Sequence, residues 1–128
     1  MGLLIEKIDL PNGLVVELYD CSRRIAGDRW YVKLLARASV RVTSDAFAHL
    51  SECEAMFREF LDTRGELVYF DKEFERNFID QREKDGLLRE FVERLKKDAL
   101  SYIGRPEFIP RLIRRQVNDF LEKRNWWR

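Results

Sequence analysis

The clearest pattern in the chain is an alternation of apolar and polar side chains between residues 29 and 42. Polar or charged residues occupy most of the odd positions. The even positions read Trp30, Val32, Leu34, Ala36, Ala38, Val40 and Val42. Because successive side chains of a β-strand point to opposite faces, the pattern predicts one long strand with a core face and a solvated face.

The length of this predicted strand constrains its surroundings. Fully extended, its fourteen residues would span roughly 46 Å. A globule of this chain length is only about 36 Å across, judged from its expected radius of gyration. We therefore expect the strand to bend, to carry a bulge or to project toward a second subunit.

Two further strand-like segments lie near the N-terminus. Residues 3–9 and 14–20 favour β-structure and flank a Pro-Asn-Gly turn in which Asn12 and Gly13 tolerate the positive φ of a tight hairpin. Residues 21–28 are predicted to connect this hairpin to the long strand. The segment 66–70 is a candidate fourth strand.

Helical spacing of apolar residues dominates the second half of the chain. One helix is expected between a cap at 43–45 and Gly65, a second between Asp85 and Gly104, and a third after Pro110. The segment 71–81 suits either a short helix or an extension of the fourth strand.

Strands that precede helices along the chain favour an α+β fold. We expect an antiparallel sheet of three to four strands from the N-terminal half, packed in two layers on three helices from the C-terminal half. The 128 residues match the size of one domain, so residues 1–128 are predicted to form a single domain.

Charge is nearly balanced over the whole chain but not along it. The 24 basic and 23 acidic residues give a net charge of +1, which excludes a simple polycation. Residues 21–43 hold six basic side chains against one acidic, net +5, and residues 105–128 hold seven against three, net +4. Two basic blocks separated by acidic stretches can create local fields without an overall charge.

The first basic block lies on the polar face of the predicted long strand. Cations that recur every four residues on a strand share one face at roughly 13 Å spacing. With an interleaved aromatic, such a face can bind phosphates and stack a base. The alternative is that these cations pair with Glu17 or other acids on the neighbouring strand. The candidate residues for an anionic ligand are Arg23, Arg24, Arg29, Tyr31, Lys33, Arg37 and Arg41.

The second basic block belongs to the last predicted helix. It suits an anionic partner or a membrane surface, or else the solvated face of an ordinary core helix. Its cations are Arg111, Arg114, Arg115, Lys123 and Arg124. Trp126 and Trp127 follow, and because two exposed indoles would form a costly apolar patch, we expect them to fold back or to lie in a dimer interface.

Residues able to carry catalysis are sparse. Cys21 and Cys53 cannot form a zinc site with the single histidine, His49, and no serine and acid are spaced as a recognisable triad. No nucleotide-binding or metal-binding motif is present, and no carboxylate is placed by sequence in an apolar pocket. We therefore expect no metal and no cofactor. An enzyme site assembled from isolated side chains stays an alternative.

The lack of a long apolar run or a signal-peptide pattern favours a cytoplasmic protein. The preferred hypothesis is a small, non-catalytic binding or assembly module that forms a homodimer. The alternative is a protein that binds nucleic acid or another anionic ligand through the basic strand face at 23–41.

Overall fold

The structure is a computed structural model that describes residues 2–126, without the side chain of Trp126. Its strands are β1 (Leu3–Asp9), β2 (Val15–Asp20), β3 (Arg23–Ala26), β4 (Arg29–Arg41) and β5 (Leu67–Asp80). A 3-10 turn covers Ser44–Phe47, and the helices are α1 (Cys53–Arg64), α2 (Lys84–Asp98), α3 (Leu100–Ile103) and α4 (Phe108–Trp126). The predicted α+β class is confirmed, with five antiparallel strands in the sheet.

The long strand β4 organises the sheet. On one side it pairs antiparallel with β2 and then with β3, which follow each other along the same edge. The amide of Cys21, between these two strands, donates to the carbonyl of Lys33 at 2.9 Å and keeps the register. Strand β5 pairs with β4 on the other side, and β1 pairs with β2. Because β2 and β3 pair with residues 29–38 along one side and β5 pairs with β4 as well, the length of β4 does not itself require a second subunit.

Four segments differ from the sequence-based prediction. The helix expected between the cap at 43–45 and Gly65 begins only at Cys53, because residues 44–47 form the 3-10 turn and residues 48–52 form turns and a bend. The helix expected between Asp85 and Gly104 is divided into α2 and α3.

Residues 21–28 were expected to be a connection, but they contain β3, which extends the line of β2 beside β4. The segment 71–81 is strand as far as Asp80, and Phe74 stacks on Phe91 of α2 with ring centroids 5.7 Å apart. Strand β3 forms a tight hairpin with the start of β4, since Ala26 pairs with Arg29. The strand at 71–80, in contrast, depends on pairing with the distant β4.

The chain forms two compact units. The first comprises Met1–Ala38 and Asp71–Arg105, and the second comprises Ser39–Phe70 and Pro106–Arg128. The prediction of a single domain stays a prediction. Each unit has a buried apolar core of its own, since Leu18, Leu34 and Leu95 are fully buried in the first and Phe47 and Phe60 in the second.

The predicted hairpin of the first unit is confirmed. Gly13 has a φ of 87°, in the region that glycine adopts without strain. The side-chain amide of Asn12 donates to the carbonyls of Ile103 and Arg105 at 2.9 and 3.0 Å, and its oxygen accepts from the amide of Leu14 at 3.1 Å. The turn is therefore fixed by one side chain.

The second unit is built around aromatic rings. Phe60 contacts Phe47 and Phe120 edge to face, with centroid distances of 5.5 and 5.3 Å. Edge-to-face packing is a favoured arrangement of aromatic rings. Arg64 donates to Asp119 at 3.0 Å, so an ion pair joins α1 to α4 beside the rings.

Candidate functional site

The cations on the outer face of β4 are matched by acids on β5. The guanidinium of Arg37 donates from Nε and Nη2 to the two carboxylate oxygens of Asp71 at 2.8 and 2.9 Å. The ammonium of Lys33 lies 3.3 Å from Glu73. This hydrogen-bonded carboxylate raises the pKa of Lys33 above its usual value.

The same pairing extends to both ends of the strand. Arg29 lies 3.5 Å from Asp80, and Arg41 lies 3.6 Å from Glu66, which directly precedes β5. We call these pairs the charge ladder, comprising Arg29, Lys33, Arg37 and Arg41 with Asp80, Glu73, Asp71 and Glu66. The ladder neutralises every cation that the sequence placed on this face of β4.

The remaining members of the predicted anionic site lie at the start of β4 and on β3. The hydroxyl of Tyr31 donates to the carboxylate of Glu75, which raises the pKa of Tyr31. The guanidinium of Arg23 lies 5.3 Å from the centre of the Tyr31 ring, so a cation covers the ring that a base would stack on. Arg24 is exposed and forms no ion pair within residues 2–126.

The structure thus gives six of the seven predicted residues an internal partner, in separate contacts along β4. Glu17, named as a possible partner, instead accepts a hydrogen bond from the hydroxyl of Tyr19 at 2.9 Å. The acids that sequence reasoning missed are Asp71, Glu73 and Glu75. Their spacing of two residues could have indicated this role, because it places the three acids on one face of a strand.

Three consecutive exposed apolar side chains lie on β1, whereas the other exposed large apolar residues of the first unit, Val15, Ile25, Phe78 and Tyr102, are separate along the chain. Leu3, Leu4 and Ile5 are 71, 41 and 40% exposed. A register shift between Leu4 and Glu6 interrupts the pairing with β2, and Glu6 is held by an ion pair of 2.8 Å to Lys96 of α2. The sequence could have predicted this exposure, because three consecutive apolar residues on a strand cannot all face one core.

The basic helix predicted at the C-terminus is α4, and its cations fall into two groups. Lys123 pairs with Asp119 at 3.4 Å, and Arg124 pairs with Glu59 at 2.8 Å. Arg111, Arg114 and Arg115 have no ion pair in the described part of the chain. Trp127 and the side chain of Trp126, the predicted interface, lie outside the described residues.

The residues considered for catalysis or metal binding are dispersed. Cys21 and Cys53 are free and half-buried, and His49 is exposed. Over residues 2–126, no group of three or more His, Cys, Asp or Glu side chains is placed to hold a metal ion. No helix in this range is both long enough and apolar enough to cross a membrane.

Comparisons of the chain with protein families, with curated proteins and with solved structures found no match. The contacts described above are therefore the basis for the functional inference.

Proposed function

We propose that the protein is a small, non-catalytic assembly module and that two copies associate through β1. The observation that carries the proposal is the exposed apolar run Leu3–Ile5 on a strand at the end of the sheet. An edge strand presents unpaired backbone donors and acceptors, and natural proteins usually protect it with charges or a cover. In β1 the charged residues Glu6, Lys7 and Asp9 occupy the second half of the strand, so only the apolar run Leu3–Ile5 is suited to pairing with another strand.

A second copy is the simplest occupant of this edge. Homodimers are mostly two-fold symmetric, so the same surface must be complementary to itself. In an antiparallel pairing with the axis near Leu4, Leu3 of one copy lies opposite Ile5 of the other. Apolar side chains then meet apolar side chains on both sides of the axis.

The expected interface is small. Two seven-residue strands bury less than the roughly 1,600 Å² of a standard protein interface. We therefore expect reversible association in the micromolar range, in which burial of Leu3 provides most of the apolar gain.

Sedimentation velocity across the micromolar range tests the proposal. The double variant Leu3→Lys/Ile5→Lys places lysines opposite each other across the axis and should leave a monomer. Ile25→Lys is the matched control, because Ile25 is 43% exposed on β3, away from β1. This control should dimerise like the unchanged protein.

A charge-reversal mixture makes the test independent of folding defects. The variant Leu3→Glu/Ile5→Glu should also be monomeric alone. Mixed with the lysine variant, it should form a heterodimer, because opposite charges then face each other across the axis. A monomeric unchanged protein at high micromolar concentration would contradict the proposal, as would a dimer unaffected by the β1 variants.

The alternative function is binding of nucleic acid or another anionic ligand to the basic strand face. No contact favours it over the assembly proposal, since Arg29, Lys33, Arg37 and Arg41 each have an acidic partner. An oligonucleotide on this face would have to displace those acids.

A further inference from the structure

A groove in the second unit has no part in the assembly proposed above. One wall is the 3-10 turn and the residues beside it, including Asp45, Ala46 and His49, and the other wall is the first half of α4. Its volume is about 630 Å³. Ligand sites in proteins typically measure roughly 300–1,000 Å³, so the groove is large enough to hold a ligand.

The α4 wall of the groove is apolar. Ile109, Ile113 and Val117 recur every four residues, which aligns them on one side of the helix, and Pro110 stands beside them. Ala46 faces the groove from the opposite wall. A ligand that covers this wall must itself be apolar there, because a polar group would lose its hydration without gaining a partner.

The rim of the groove is basic on the side of α4. Arg114 lines the groove and also lines the adjoining surface depression, together with Arg111 and Arg115. None of the three has an ion pair within residues 2–126. Two acids line the same depression: Asp119, which is already engaged by Arg64 and Lys123, and Glu122. Three arginines against two acids leave the lining of the depression with an excess of positive charge. An acidic group on a ligand is the complementary partner for these arginines.

The opposite rim has a different charge. Asp45 lines that wall and repels a ligand that is anionic throughout, such as a nucleic acid lying along the groove. The two walls together select a ligand with an apolar portion followed by negative charge on one side only.

We infer that this groove binds a peptide segment of a protein partner, in which a bulky apolar anchor is followed by acidic residues. The anchor lies against Ile109, Ile113 and Val117. The acidic residues reach Arg114 first and then Arg111 and Arg115. The recognition combines apolar burial, which provides affinity, with the arginines, which fix the direction of the segment.

Fluorescence anisotropy tests the inference with a defined probe. The probe is a fluorescein-labelled peptide in which a flexible Gly-Ser spacer precedes Phe-Leu and then three glutamates. Matched probes replace the glutamates by lysine or the Phe-Leu anchor by serine, and a labelled single-stranded oligonucleotide represents nucleic acid. We expect saturable binding of the first probe only.

Variants locate the binding to the groove. Arg114→Glu and Ile113→Ser should each weaken binding of the acidic probe by about tenfold. Arg58→Glu is the matched control, because Arg58 is exposed on α1 and lies outside the groove. The variant Leu3→Lys/Ile5→Lys should bind the probe unchanged, which separates this inference from the proposed dimer.

Amide chemical shifts in NMR spectra of the labelled protein provide a readout that does not depend on substitutions. The acidic probe should perturb the amides around Ala46, Ile113 and Val117. Perturbations elsewhere, equal affinity for the lysine probe or the oligonucleotide, or no saturable binding at millimolar peptide would each overturn the inference.

Discussion

The two faces of β4 show two different ways in which one strand is held. On the inner face, Val32 and Leu34 are fully buried and Ala36 nearly so. On the outer face, the charge ladder leaves its side chains partly exposed, and exposed ion pairs contribute at most about 1 kcal/mol each. The inner face therefore contributes most of the stability, whereas on the outer face the acids of and beside β5 neutralise the cations of β4.

One residue departs from this division. Leu35 is on the outer face but is only 6% exposed. It lies between Lys33 and Arg37 along the strand and opposite Tyr19 of β2 in the register. The long stems of basic side chains can cover apolar surface while their charged ends stay in water. The outer face is thus charged at its tips and apolar at its base.

The largest expected effect comes from the inner face. Leu34→Ala should lower the free energy of unfolding by about 2–5 kcal/mol, because it removes a buried side chain and leaves a cavity. Urea denaturation followed by circular dichroism measures the change. Ser39→Ala, at an exposed outer position, is the control and should stay within about 0.5 kcal/mol of the unchanged protein. Equal losses in the two variants would contradict the comparison.

Removing the acids should convert the outer face into an anion-binding surface. In the variant Asp71→Asn/Glu73→Gln/Glu75→Gln, Lys33 loses the carboxylate of Glu73, Arg37 loses that of Asp71 and Tyr31 loses that of Glu75. We expect this variant to bind a labelled single-stranded oligonucleotide more tightly than the unchanged protein in a gel-shift assay.

The salt dependence of oligonucleotide binding tests whether the gain in affinity is electrostatic. If Lys33 and Arg37 each contact one phosphate in the variant, the slope of log Kobs against log salt should steepen by about 1.4. The control variant Asp62→Asn/Glu54→Gln/Glu93→Gln changes the net charge equally at exposed helix positions and should show no such gain. If the unchanged protein binds as tightly as the triple variant, the ladder does not mask the face.

A smaller effect is expected from a single rung of the ladder. A double-mutant cycle with Lys33→Met and Glu73→Gln should give a coupling energy of about 0.2–1 kcal/mol, as for other exposed ion pairs. Denaturation at low and high salt measures it, and the coupling should decrease with added salt. A coupling of several kcal/mol would show that the outer face stabilises the fold as the inner face does.

The smallest expected effect is on alkaline stability. The folded-state pKa of Tyr31 is raised by its hydrogen bond to Glu75, and that of Lys33 by Glu73. Their contributions are fully present below the unfolded values of 10.0 and 10.5 and are lost as pH rises through the folded values. Tyr31→Phe should therefore flatten the decline in unfolding free energy above pH 10, measured by urea denaturation over a pH series. An unchanged slope would argue against the bond.

Much of the fold could be predicted from local patterns. The alternation at 29–42 predicted β4 and its buried face, and Asn12 and Gly13 predicted the hairpin. The helical spacing predicted α4 and the parts of α1 and α2 that are regular, but not the 3-10 turn before α1 or the break between α2 and α3. The predicted features depend on residues close together in the chain. The segment 71–80 could not be assigned in the same way, because its many charges hide the alternation that its pairing with β4 imposes.

The candidate binding surfaces, like segment 71–80, could be predicted only as far as local patterns allow. Sequence identified the cations of β4 and of α4, but it treated them alike. The structure distinguishes them, because the cations of β4 have acidic partners on β5 whereas Arg111, Arg114 and Arg115 have none in the described residues. For this reason, the arginines of α4 beside the groove are a better candidate for binding an anionic group than the cations of β4.

The sequence by itself determined that β4 has an apolar face and a basic face, since side-chain alternation is a property of consecutive residues. Only the tertiary structure decided what meets each face. Arg37 and Asp71 are 34 positions apart, and nothing local requires their strands to be neighbours. Whether a charge is neutralised or available to a partner depends on such distant pairings, because electrostatic energy depends on distance in space and not along the chain.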